Sequence, residues 1–165
     1  MVINMAKAKT VKTNAMRILD SNKIEHKELT YPVDKDHVDG VTVAHSIGRD
    51  EKEVYKTLVA QGHSKEFFVF VIPVAESLDM KKAAKAAKEK NIEMIHVKDI
   101  NKVTGYIRGG CSPIGMKKQY KTFVNDTALE LETMIVSAGK IGYQVELAPK
   151  DLEKVVGCEF IDIIK

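Results

Sequence analysis

The run Thr104-Gly105-Tyr106-Ile107-Arg108-Gly109-Gly110-Cys111-Ser112-Pro113-Ile114-Gly115 holds four of the chain's ten glycines, beside a cation, a thiol, a hydroxyl and a proline. Glycine lets the backbone turn where other residues cannot and lets a ligand approach the main chain. Consecutive amides in such a turn can converge on an anion or on the oxyanion of a reacting carbonyl. Pro113 would fix the loop's exit and remove one donor. The run reads as a reaction cradle on a rigid scaffold or as a tight structural turn. It does not by itself identify a ligand.

Lys56 is the second candidate, within Val54-Tyr55-Lys56-Thr57-Leu58-Val59. At a period of two it shares a face with Val54 and Leu58, both natural core residues. An ammonium on an apolar face is costly unless paired. It is therefore aimed at an anion or carbonyl, or it guards an edge strand against aggregation. Cys111 and Ser112 make poor nucleophiles on this pattern. A nucleophile elbow draws on the amide of the residue after its serine, and here that residue is Pro113. No histidine carries a recognisable triad signature. Both residues are read as small loop fillers.

The five histidines never pair at helical spacing, and the two cysteines, Cys111 and Cys158, lie far apart. Neither pattern matches zinc ligation, and no Walker or dinucleotide fingerprint is present. No metal and no cofactor are expected.

The elements that must position these residues follow from periodicity. Lys12 to Asn22 reads as a helix capped by Thr10 or Thr13, burying Val11, Ala15, Ile18 and Leu19. His26 to Tyr31 reads as a strand, and Val41 to Ile47 as a helix ending at Gly48. Val54 to Ala60 alternates like a strand, while the unbroken apolar run Phe67 to Val74 suits a buried central one. Asp79 caps a helix from Met80 to Lys90. Glu93 to Val97 reads as a strand and Lys98 to Val103 as a helical turn. Strands follow at Thr122 to Val124, Thr133 to Ser137 and Tyr143 to Leu147, the last two joined by the hairpin signal Gly139-Lys140-Ile141-Gly142. Pro149 to Val156 suits a helix and Glu159 to Ile164 a final strand. Short connections favour antiparallel pairing.

Composition bounds the class. A chain of 165 residues, 44% hydrophobic and 30% charged, fits one α/β domain spanning 1–165, with 1–9 as a flexible N-terminus. No stretch approaches the roughly 18 apolar residues of a membrane span. No signal peptide is evident, and the cysteine usage fits a reducing compartment, so a cytoplasmic protein without a membrane partner is expected. The net charge of +3 is small, but its distribution is uneven. Lys81, Lys85 and Lys88 form one stripe of the third helix, opposite Met80, Ala83, Ala84 and Ala87. Lys117 and Lys118 form a second patch after the glycine loop. Such stripes are solvated faces or contacts to RNA phosphates.

Taken in order, these segments resemble the YbaK/EbsC family, free-standing relatives of the prolyl-tRNA synthetase editing domain. The resemblance runs from Lys12-Thr13-Asn14-Ala15 to Phe160-Ile161-Asp162-Ile163. It rests on Val54-Tyr55-Lys56-Thr57-Leu58, Ile72-Pro73-Val74, Leu78-Asp79-Met80-Lys81-Lys82-Ala83-Ala84, the glycine loop, and Ser137-Ala138-Gly139-Lys140.

The resemblance implies a mixed, largely antiparallel sheet, curved or barrel-like, flanked by helices. It implies hydrolysis of the ester joining a wrong amino acid to tRNA, chiefly cysteine on proline tRNA. The substrate's own thiol would attack its carbonyl, giving a thiolactone and free tRNA. Lys56 would orient the ester or the terminal adenosine, and loop amides around Gly109 and Gly110 would polarise the carbonyl. Tyr31, Cys111, Ser112, Pro113 and Gln144 would line the substrate pocket. Lys81, Lys85, Lys88, Lys117 and Lys118 would meet tRNA, and prolyl-tRNA synthetase is a candidate partner. Two departures stand out: some members carry aspartate where this chain has Gln144, and others an aliphatic residue at Cys111. The rival expectation is a non-catalytic tRNA-binding or regulatory module of the same fold.

Overall fold

The computed structural model describes residues 11–32 and 40–165; the expected flexible segment 1–9 and the alternative cap Thr10 lie outside them. Helix α1 (Asn14–Ser21) starts where Thr13 accepts a hydrogen bond from the Met16 amide, and it buries Ala15, Met16 and Leu19. Strand β1 (Lys27–Thr30) and helix α2 (Gly40–Ser46) follow. Strands β2 (Tyr55–Gly62) and β3 (Phe67–Pro73) pair antiparallel. Helix α3 (Met80–Ala87) is capped by Asp79, which accepts from the Lys81 and Lys82 amides. It is shorter than its sequence pattern because Lys88 turns left-handed. Beyond it come β4 (Ile92–Met94), α4 (Ile100–Thr104), β5 (Lys121–Asn125), β6 (Met134–Lys140), β7 (Tyr143–Leu147), α5 (Pro149–Val156) and β8 (Glu159–Ile161).

Among the described residues these strands form two sheets, in the orders β1-β7-β6 and β4-β2-β3-β5-β8. The sheet is therefore not closed into a barrel, which corrects the barrel-like expectation. β3 does run through the centre of the larger sheet, as its apolar run requires. Pairing is mixed: β3–β5 and β5–β8 are parallel and the remainder antiparallel. The parallel pairs close over long crossovers that no local pattern reveals.

The larger sheet is covered on both faces. Tyr55, Val69, Val71 and Val124 join α1, α5 and the inner face of β6–β7 in one core. Phe68, Phe70, Ile72 and Phe123 pack beneath α3, where the Phe70 and Phe123 rings stack with centroids 5.5 Å apart. Burying each such ring contributes about 1.5–3 kcal/mol. A small third cluster, Ala44, Val54, Val74 and Ile135, ties α2 to both sheets.

That third cluster sits at a seam. Val54 and Ile135 form an isolated parallel bridge, with the Ile135 amide donating to the Glu53 carbonyl at 2.9 Å. No further pairing joins β2 to β6. Past the seam, β2 belongs to one sheet and β6–β7 to the other.

Candidate active site

The space between the separating sheets is a cavity of about 380 Å³. One wall is the start of β2, from Val54 to Leu58; the opposite wall is Ser137 of β6 and Gln144 of β7, which are cross-strand partners. Tyr31 and the N-terminal part of α2 close one side, while Arg108, Gly109 and Cys111 of the glycine loop close the other. Five residues expected at a site from the sequence thus meet in one place: Lys56, Tyr31, Gly109, Cys111 and Gln144.

Lys56 is partly buried, and no carboxylate lies within ion-pair distance of it among the described residues. Burial pushes its ammonium below the usual lysine range, with Glu76 nearby acting in the opposite sense. In the register of β2 with β3, Lys56 and Leu58 stand opposite Ile72 and Phe70, so Lys56 shares a face with Leu58 as expected.

The loop is held from behind. The Tyr106 hydroxyl donates to the Ile114 carbonyl at 2.6 Å, the Asn14 amide to the Gly115 carbonyl at 3.1 Å, and the Lys117 amide to the Thr104 carbonyl at 3.0 Å. Gly109 has φ +85°, a left-handed conformation that favours glycine. Gly110 is glycine for another reason: a Cβ there would stand 3.0 Å from the Ile141 nitrogen and 3.2 Å from the Lys140 carbonyl carbon. The loop packs that tightly on the β6–β7 hairpin.

This geometry revises one expectation. The Gly110 amide donates to the Ile107 carbonyl at 3.0 Å and is not free to polarise a substrate. The amides of Gly109 and Cys111 make no hydrogen bond among the described residues, and both residues line the cavity. Ser112 and Pro113 are buried behind the loop and do not line the cavity, so the expected direct pocket contact is corrected for both. The Ser112 hydroxyl instead accepts from the Ile114 amide at 3.2 Å. Cys111 does line the cavity, and burial pushes its thiol up to about 11.

Among the described residues two cavity residues hold buried oxygens without a partner, Thr57 Oγ1 and Gln144 Oε1. An unpartnered buried oxygen is rare and costly, and a ligand donor would satisfy it. Thr57 gave no signal in the sequence, since it points away from the Lys56 face; Ser137 lay within a quoted motif without a role.

The cavity walls are locked by an ion pair the sequence reading missed. Arg49, in the turn after α2, donates to both oxygens of Glu146 on β7, at 2.8 and 2.7 Å, and to Glu53 just before β2 at 2.8 Å. Thr133 donates to the same Glu146 carboxylate at 2.5 Å. The Arg49 guanidinium holds the Glu146 carboxyl at about 2, well below the usual range.

The five lysines expected to meet tRNA lie outside the cavity. Lys81, Lys85 and Lys88 are exposed along α3 and its end, and Lys117 and Lys118 are exposed beyond the loop. Lys117 Nζ donates to the Lys102 carbonyl at 3.2 Å. Among the described residues no helix is long and apolar enough to cross a membrane.

A domain with a split sheet and a glycine loop facing a lone lysine across a cavity defines a recognisable class. The family described as aminoacyl-tRNA editing domain matches residues 37–155, and the chain belongs to that family. It is 46% identical to EbsC of Enterococcus faecalis, named as a candidate Cys-tRNA(Pro)/Cys-tRNA(Cys) deacylase, over 96% of this chain and 98% of that protein. Its fold is that of two crystal structures at low identity. A hypothetical protein matches with TM-score 0.83 at 18% identity, over 93% of this chain and 100% of the other. A candidate trans-editing enzyme for prolyl-tRNA synthetase matches with TM-score 0.79 at 18% identity, over 94% and 99%.

Proposed function

We propose that this protein is an aminoacyl-tRNA deacylase that clears mischarged tRNA in trans, chiefly cysteine esterified to proline tRNA. The observation that carries the reading is Lys56: a desolvated ammonium without a carboxylate partner among the described residues, at the wall of a cavity that Gly109 and Cys111 also line. Such a group awaits an anion or a carbonyl that becomes one. Family membership and the 46% identical relative supply the ester chemistry.

In the proposed reaction the substrate's thiol sulfur attacks its own carbonyl carbon. The carbon–sulfur bond forms, the bond to the ribose oxygen breaks, and the thiol's proton ends on the ribose hydroxyl. The products are a thiolactone and free tRNA. Lys56 and the Gly109 and Cys111 amides stabilise the tetrahedral oxyanion, while Tyr31 and Gln144 bound the aminoacyl group. Orientation supplies much of the rate, because an intramolecular nucleophile needs only to be held in a cyclising geometry.

Lys81, Lys85, Lys88, Lys117 and Lys118 meet the tRNA phosphates in this reading. Prolyl-tRNA synthetase is the natural source of the substrate, and the cytoplasm the compartment. Residues 1–165 act as one domain.

Deacylation of cysteinyl-, alanyl-, seryl- and S-methylcysteinyl-tRNA tests the reading. Cysteinyl-tRNA is expected to react far faster than seryl-tRNA, since a hydroxyl is much less ionised than a thiol near neutrality. Rapid hydrolysis of the S-methyl substrate overturns the thiol mechanism, and turnover of none, with tRNA binding retained, overturns the deacylase.

A further inference from the structure

The product of the proposed reaction is itself an acylating agent. A thiolactone is a cyclic thioester, and attack on its carbonyl carbon releases the strain of the small ring. It forms inside a cavity of about 380 Å³, so nucleophiles in the cavity wall meet it before it is diluted into solvent.

Those nucleophiles are unequal. Burial pushes the Cys111 thiol up to about 11, so it stays protonated near neutrality. The Tyr55 hydroxyl is pushed up by burial too, and it shares a hydrogen bond with the Thr127 hydroxyl at 2.8 Å. The Ser137 hydroxyl accepts from the Gly139 amide at 3.2 Å, and an alcohol is a weak nucleophile without a base to take its proton. Lys56 is different in kind. An amine becomes nucleophilic by losing its proton, and burial favours that loss. Its side chain is half-buried in the cavity wall, with no carboxylate within ion-pair distance among the described residues to hold the proton in place. Lys81 and Lys85, by contrast, are exposed on α3 and outside the cavity.

We propose that Lys56 is a self-acylation site, which captures the acyl group of the thiolactone product and ends that molecule's activity. The proposal rests on the deacylase reading, which supplies the thiolactone. The charged form of Lys56 steadies the oxyanion during turnover; its minor amine form performs the capture. Nζ attacks the thiolactone carbonyl carbon, the carbon–nitrogen bond forms and the carbon–sulfur bond breaks. The proton shed by the nitrogen passes to the departing sulfur. The result is an amide on Lys56 carrying a cysteinyl group with a free thiol, and the cation at the cavity wall is gone. The split between release and capture then sets how many turnovers one molecule completes.

The test has two arms, both on the full chain and both read by mass spectrometry of its peptides. In the first, the protein is incubated with free homocysteine thiolactone, a stable relative with a larger ring. Lys56 is expected to be acylated at least about tenfold faster than Lys81 or Lys85, since the cavity brings amine and thioester together. Hydroxylamine is expected to leave the adduct intact, because an amide resists it where a thioester on Cys111 would not. In the second arm the protein turns over excess cysteinyl-tRNA. One cysteinyl group is expected to accumulate on Lys56, with activity falling in proportion to the acylated fraction.

Equal acylation of Lys56 and the exposed lysines, an unmodified Lys56, or an adduct that hydroxylamine removes overturns the proposal. So does a Lys56 adduct from S-methylcysteinyl-tRNA, which cannot cyclise and would have to be attacked as the ester. The two readings fail separately. A chain that clears cysteinyl-tRNA through repeated turnovers with Lys56 unmodified loses the self-acylation alone. One whose Lys56 is acylated by the free thiolactone while cysteinyl-tRNA persists loses the deacylase alone.

Discussion

Arg49 and Lys56 are cations on either side of the point where β2 begins, and their surroundings are opposite. Arg49 donates to Glu146 and Glu53, and its partners hold the guanidinium in its charged form. Among the described residues Lys56 has no such partner, and burial makes its charge harder to keep. The first joins α2, β2 and β7; the second faces the cavity those elements enclose. A charge satisfied by the protein holds structure, whereas one left unsatisfied at a cavity wall is available to a ligand. The contrast predicts that damage at the two positions separates into stability and turnover.

The largest effect is expected at the satisfied pair. Glu146→Gln leaves a partly buried guanidinium with Glu53 as its one remaining countercharge among the described residues and should cost about 3–5 kcal/mol in chemical denaturation. Activity per folded molecule should change much less; a large fall in turnover at unchanged stability would erase the contrast. The same pair sets an acid limb. The Glu146 carboxyl sits at about 2 when folded against 4.5 in its unperturbed state. Its contribution is therefore complete above pH 4.5 and is lost as pH falls from there towards 2, a loss of roughly 3 kcal/mol. Unfolding midpoints measured across that range in wild type and Glu146→Gln should converge.

Next comes Lys56→Ala, expected to lower single-turnover deacylation by roughly 30- to 1000-fold, or about 2–4 kcal/mol. Its Tm should stay at or above that of wild type, because a desolvated charge with no carboxylate partner among the described residues has been removed. Near-wild-type turnover would take Lys56 out of the chemistry.

A smaller effect is expected where the loop meets the hairpin. Gly110→Ala forces the loop off Lys140 and Ile141 and should cost about 1–3 kcal/mol of stability, with weaker substrate binding. The smallest belongs to Cys111→Ala. Its turnover should stay within about threefold of wild type, since a thiol that remains protonated is not the attacking group.

Much of the fold was legible locally. Thr13 and Asp79 announce their helices because each places a side-chain oxygen before an amphipathic run. Phe67 to Val74 is apolar on both faces because both faces of β3 are covered. The hairpin at Gly139–Gly142 follows from its turn residues. What was not legible is non-local. The seam at Val54 and Ile135, the parallel β3–β5–β8 order and the Arg49–Glu146 pair join segments distant along the chain.

The site divides the same way. Lys56 stood out because charge at an apolar strand position violates the pattern, and Gln144 and Tyr31 came through resemblance. Thr57 stayed hidden because a threonine within a strand violates nothing. Gly110 looked like a donor until its amide was seen to close a turn on Ile107.

The burial of Cys111 has a consequence for handling the protein. With its thiol at about 11, only on the order of one molecule in ten thousand carries the thiolate at neutral pH. Alkylating probes and mild oxidants should pass it by, so a cysteine-reactive compound is a poor route to an inhibitor despite a cysteine in the cavity wall. The same inertness keeps the wall from capturing the acyl group of a thiol-bearing substrate by exchange.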